Sequence, residues 1–76
     1  MEYTIIMHQA EEGGYWAEVP ALPGCYSQGE SIEETMENIR EAIETHLEAL
    51  KEDQQEIPSE GKLLIGKVEV ASTFSI

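Results

Sequence analysis

The chain has 76 residues and a mass of 8.5 kDa, with sixteen acidic side chains, four basic ones, a net charge of −12 and a pI near 4.2. At this length one small domain, 1–76, is expected, with a thin core; 41% hydrophobic and 26% charged residues make it globular rather than disordered. No apolar run is long enough to span a bilayer, no secretory signal opens the chain, and the single cysteine, Cys25, excludes an internal disulfide. Together these features fit a reducing cytoplasm.

Residues 3–8, Tyr-Thr-Ile-Ile-Met-His, are rich in β-branched and aromatic types and predict a first strand. The polar stretch from Gln9 ends in Gly13-Gly14, a turn signal, and Tyr15–Val19 returns as the second strand of a hairpin. Alternation places Tyr15, Ala17 and Val19 on one face of that strand and Trp16 and Glu18 on the other. Pro20 removes a ladder donor and stops it. Pro23-Gly24 suits the central positions of a type II turn, where glycine supplies the positive φ. Cys25–Gln28 then forms a third strand, ended by Gly29.

Ile32, Met36, Ile39, Ile43, Leu47 and Leu50 recur at steps of three and four, so an amphipathic helix follows. Ser31 with Glu34 three residues on predicts a capping box with Ser31 as the N-cap. The helix is expected to end near Glu52-Asp53. A polar connection over 54–61 leads to a last strand over 63–71, with Val68 and Val70 inward and Lys67 and Glu69 outward. The fold class is α+β in the order β-β-β-α-β: a small antiparallel-rich sheet with one helix on one face.

Charge is concentrated on the middle of the chain. Residues 30–60 carry eleven acids against Arg40 and Lys51, whereas residues 61–76 carry Lys62, Lys67 and Glu69. Glu33, Glu37, Glu41, Glu44, Glu48 and Glu52 crowd the polar face of the helix, and like charges four residues apart cost about 0.2–0.5 kcal/mol per pair. Such a face is either simply solvated or a steering surface for a cation-rich protein partner. Direct binding to DNA or RNA is disfavoured for want of cations.

A catalytic constellation does not assemble from these residues. Cys25 with His8 or His46 is a conceivable nucleophile–base pair, but Cys25 has no basic neighbour in sequence to activate it. No paired Cys/His spacing suggests a metal site, and no glycine-rich phosphate loop joins a strand to a helix. No cofactor is expected.

Tyr15-Trp16-Ala17-Glu18-Val19-Pro20, Leu22-Pro23-Gly24-Cys25, Gly29, Ser31-Ile32-Glu33-Glu34 and Glu41-Ala42-Ile43 together resemble the HicB antitoxin family over residues 3–50. The resemblance implies a partial ribonuclease-H-like fold in β-β-β-α-β order. It also implies the antitoxin role in a type II toxin–antitoxin pair, in which the antitoxin binds and masks a small basic HicA-type toxin that cleaves mRNA. Many family members add a C-terminal DNA-binding module; after the helix this sequence has room for a linker and one strand only. The ribonuclease-H likeness does not carry activity, because the first three strands offer only Glu2 and Glu18 where a metal-dependent nuclease clusters carboxylates. A non-enzyme is expected.

The candidate partner-binding residues are the aromatic groups Tyr15, Trp16 and Tyr26 as anchors, and Glu37, Glu41 and Glu44 as charged rim. A homodimer or larger assembly is expected as well, because one helix leaves the second sheet face uncovered. The alternative reading is an orphan acidic interaction module or homo-oligomer with no toxin partner.

Overall fold

A computed structural model describes residues 1–61 and 64–72. Three strands, β1 (Ile6–Gln9), β2 (Tyr15–Glu18) and β3 (Tyr26–Gly29), precede one helix, α1 (Ile32–Glu52). The strands form an antiparallel sheet in the order β1-β2-β3. Its register aligns Met7, Ala17 and Ser27 in one row and His8, Trp16 and Gln28 in the next. Successive rows point to opposite faces. Ala17 is fully buried beneath α1, so the row of His8 and Trp16 and the row of Ile6, Glu18 and Tyr26 occupy the uncovered face.

The connections follow local chemistry. Gly13 and Gly14, at φ 102° and 77°, turn the chain between β1 and β2, with Ala10 and Gly14 closing the loop through a 3.0 Å backbone bond. Between β2 and β3 the Cys25 amide donates to the Leu22 carbonyl at 3.0 Å, with Gly24 at φ 86°. That is the type II turn expected of Pro23-Gly24.

The helix begins where the capping pattern places it. Ser31 has extended backbone, and its Oγ accepts from the Glu34 amide at 3.0 Å. The Glu34 carboxylate reaches one residue further back than a standard capping box, accepting from the Glu30 amide at 3.0 Å. At the other end Gln54 adopts φ 56°, a left-handed position, and the chain leaves the helix there.

The core comprises Ala17, Val19, Leu22, Cys25 and Ile39, with Tyr3, Ile5, Ala42, Ile43 and Leu47 packed around it. α1 lies over β3 and β2 and makes no close backbone approach to β1. The apolar stripe is therefore covered unevenly: Ile39 is buried, whereas Ile32 and Met36 are about half exposed. Helix and sheet meet most closely at Gly29, where a Cβ would come within 2.8 Å of both the Thr35 backbone nitrogen and its Oγ1.

The expected last strand over 63–71 is not formed among the described residues. Residues 64–72 carry no strand, and Leu63 lies outside the description. Val68 and Val70, expected to face inward, are 87% and 70% exposed, and Leu64 is 91% exposed. Among the described residues this segment has no paired neighbour, and a strand exists only through its ladder. After α1 the chain returns to the start of the sheet. The Tyr3 hydroxyl donates to the Pro58 carbonyl at 2.6 Å, and the Glu60 carboxylate accepts from both the amide and the hydroxyl of Thr4. Gly61, at φ 65°, follows immediately.

Candidate interaction surfaces

The exposed functional chemistry divides between the two sides of the molecule. On the uncovered sheet face the His8 and Trp16 rings stack with centroids 4.1 Å apart and planes 15° from parallel. The His8 Nε2 lies 2.6 Å from the Glu18 Oε2, so the histidine is held between an indole and a carboxylate. Trp16 remains 37% exposed and Tyr26, two rows away on the same face, 68%. This is a flat aromatic patch with its principal ring already oriented. Such rings bury large area on docking at small cost in side-chain entropy.

Tyr15 does not belong to this patch. It lies one row from Trp16, on the helix side of the sheet, where it lines a polar cleft with Gly13, Glu30 and Glu34. The three candidate aromatic residues are thus split two and one between the faces. His8 and Glu18, by contrast, complete the patch although neither was a candidate for partner binding. The register that joins His8 to Trp16 depends on a five-residue connection whose geometry only the fold supplies.

On the opposite side, Glu37, Glu41 and Glu44 all project from the exposed face of α1. Arg40 lies between them, hydrogen-bonded to Glu37 and 3.7 Å from Glu44. The Glu37 hydrogen bond, with the field of Glu37, Glu44 and Glu41, raises the pKa of the guanidinium above its ordinary value. One cation is therefore shared within the acidic face and the rest of its charge is left to solvent. Glu41 also borders a shallow groove of about 490 Å³ between β3 and α1, which it shares with Tyr26, Cys25 and His46. Tyr26 and Glu41 are thereby brought together at the β3 edge, while Trp16 is separated from the helix by the sheet.

The conceivable thiol–imidazole pairs lack activation. His8 faces the uncovered side of the sheet and Cys25 the core. His46 shares a groove with Cys25, but burial raises the Cys25 thiol pKa, which disfavours the thiolate a nucleophile needs. Among the described residues no three His, Cys, Asp or Glu side chains converge on a possible metal position, and no helix is long and apolar enough to cross a membrane.

The fold and these surfaces define an acidic α+β domain whose chemistry lies on open faces rather than in a closed cleft. The family model described as the HicB-like antitoxin of bacterial toxin–antitoxin systems matches residues 3–72, and the chain belongs to that family. It is 47% identical over 58 residues to a UPF0150 protein of Thermoplasma acidophilum, covering 76% of this chain and 84% of the relative. A UPF0150 protein of Synechocystis is 45% identical over 58 residues, covering 76% and 73%. One from Helicobacter pylori is 44% identical over 63 residues, covering 83% and 88%.

Proposed function

We propose that the chain is a single HicB-like domain acting in the cytoplasm as a non-enzymatic antitoxin, binding and masking a small basic HicA-type toxin that cleaves mRNA. The observation that carries this reading is the family match over residues 3–72. The net charge of −12 supports it, since an RNA-cleaving partner presents a cationic surface to its substrate and an acidic protein can cover that surface.

Trp16 and Tyr26 are assigned as the anchors of the complex, with His8 and Glu18 fixing the indole. Glu37, Glu41 and Glu44 are assigned to steering. Tyr15, on the helix side, takes a packing role. Anchors govern dissociation, and exposed rim charges govern association and its salt dependence.

The test is co-expression with the short basic protein encoded next to this one. Growth rescue is expected, together with a stable complex of the two purified proteins. Trp16→Ala should raise the off-rate by an amount worth about 2 kcal/mol, roughly 30-fold. Reversing Glu37, Glu41 and Glu44 to Lys should slow association at low salt and have little effect at high salt. A toxic neighbour that this chain fails to neutralise would sink the antitoxin reading and leave an acidic module with another partner.

A further inference from the structure

On the uncovered sheet face β1 presents Ile6 and His8, β2 presents Trp16 and Glu18, and β3 presents Tyr26 and Gln28. Glu18 is the one acidic side chain among these six, and it stands on the middle strand. Its direct neighbours across the two ladders are Ile6 and Tyr26, with Trp16 two residues away on its own strand. Side chains directly opposite in this way are about 5 Å apart at Cβ. His8 takes one acceptor position of the carboxylate, at 2.6 Å from Oε2, whereas a carboxylate offers about four. The Glu18 side chain remains 41% exposed. Among the described residues no lysine or arginine pairs with it; the ion pairs of Arg40 lie on α1, across the sheet.

A half-exposed carboxylate with aromatic rings beside it is suited to a flat cation that can both hydrogen-bond and stack. We propose that this face is an arginine site: the guanidinium of one arginine on a basic protein partner forks onto the Glu18 carboxylate and lies against Tyr26. His8 already covers one face of the indole, so Tyr26, the more exposed ring and the direct neighbour of Glu18, is the principal stacking surface. Trp16 forms the side wall, held in place by His8. The inference rests on the basic partner proposed above, but not on that partner being a toxin.

Charge selects the occupant. Beyond the His8–Trp16 stack, at the hairpin end, Glu11 and Glu12 line a shallow recess with those two rings. The aromatic stack therefore has carboxylates at both ends, Glu18 at one and Glu11 and Glu12 at the other, within a chain of net charge −12. A phosphate or a nucleic acid is repelled there, although bare aromatic surface on a sheet would suit bases. A cation-rich protein is drawn to it. Shape then favours arginine over lysine. The guanidinium is planar and presents paired N–H donors matched to a carboxylate, and it stacks on rings with little loss of hydration; an ammonium is a compact, strongly hydrated point charge.

The test begins with the full chain alone. Trp16 is its one tryptophan, so the indole N–H resonance reports on this face without ambiguity. The chain is titrated at constant ionic strength with the acetylated amides of arginine, lysine and citrulline, the last an uncharged isostere of arginine. The arginine compound should shift Trp16, Glu18 and Tyr26 and bind about two- to fivefold more tightly than the lysine one, the size of an exposed cation–π contact; citrulline should bind more weakly than either. Glu18→Gln should reduce arginine binding to the citrulline level. His8→Ala, which removes the histidine bond but keeps the carboxylate, should retain the arginine preference, as a Glu18 that merely held His8 would not. In a complex with the basic neighbour, Glu18→Gln should raise the off-rate about 30-fold, since one member of a covered charge pair is lost. Equal binding of arginine and lysine, no measurable arginine binding, survival of the preference in Glu18→Gln, or shifts of these residues with a short RNA instead would each overturn the arginine site. Failure to neutralise the neighbour with the arginine preference intact sinks the antitoxin reading alone; rescue and complex untouched by Glu18→Gln sink the arginine site alone.

Discussion

Replacing Gly29 by alanine tests the closest approach between helix and sheet. The backbone at Gly29 is not left-handed, so conformational strain does not enter. Sterics decide the outcome. An added Cβ would meet the Thr35 nitrogen and Oγ1 at 2.8 Å each and the Glu34 carbonyl carbon at 3.1 Å, all inside ordinary van der Waals contact. Two of these three atoms are backbone in the first turn of α1, so α1 or β3 must move by several tenths of an ångström. Overpacking of this kind costs typically about 1–3 kcal/mol, and rigid backbone neighbours put the site at the upper end. The gain from stiffening the unfolded chain, about 0.4–1 kcal/mol, offsets part of it. A net loss near 2 kcal/mol remains, which for a chain of this size lowers Tm by about 8–16 °C. Thermal and urea melts followed by circular dichroism read the change, the latter as a lower midpoint at unchanged slope. Thr35→Ala removes one of the two 2.8 Å contacts and leaves the other, so the double variant should lose less than the two single losses combined. A Gly29→Ala protein melting within a degree or two of the wild type would refute the reasoning, as would strict additivity with Thr35→Ala.

Two further outcomes follow from backbone and burial. Gln54 holds φ 56° at the end of α1 without being glycine, so Gln54→Gly should stabilise the protein by about 0.5–1 kcal/mol and raise Tm by a few degrees; an unchanged or lowered Tm counts against left-handed strain there. Burial raises the pKa of the Cys25 thiol, so as pH rises the unfolded chain ionises first and binds fewer protons than the native one. Stability should therefore fall between about pH 7 and 10 more steeply in the wild type than in Cys25→Ala, and parallel melting curves over that range would contradict it.

The sequence by itself determined the elements whose causes are local. The stripe from Ile32 to Leu50, with Ser31 before it, defined α1 and its first residue, because a helix is set by the 3.6-residue period and by which side chain can satisfy the first free amides. Pro23-Gly24 defined the turn into β3 for a similar reason: only glycine occupies the left-handed position there without cost. Alternation also placed Tyr15 and Trp16 on opposite faces, although it left open which face α1 would cover. That choice was tertiary, and it dispersed the candidate site. Register and packing stacked His8 on Trp16, linked His8 to Glu18, put Tyr15 on the side that α1 covers and put Glu37 and Glu44 across the sheet from Trp16. Only the packing left Ile32 and Met36 half exposed, since period alone does not say how far a sheet extends beneath a helix. The alternation of Leu64, Val68 and Val70 showed a segment fit to be a strand, but a strand is completed by hydrogen bonds to a neighbour, and no pattern within one segment specifies which neighbour supplies them.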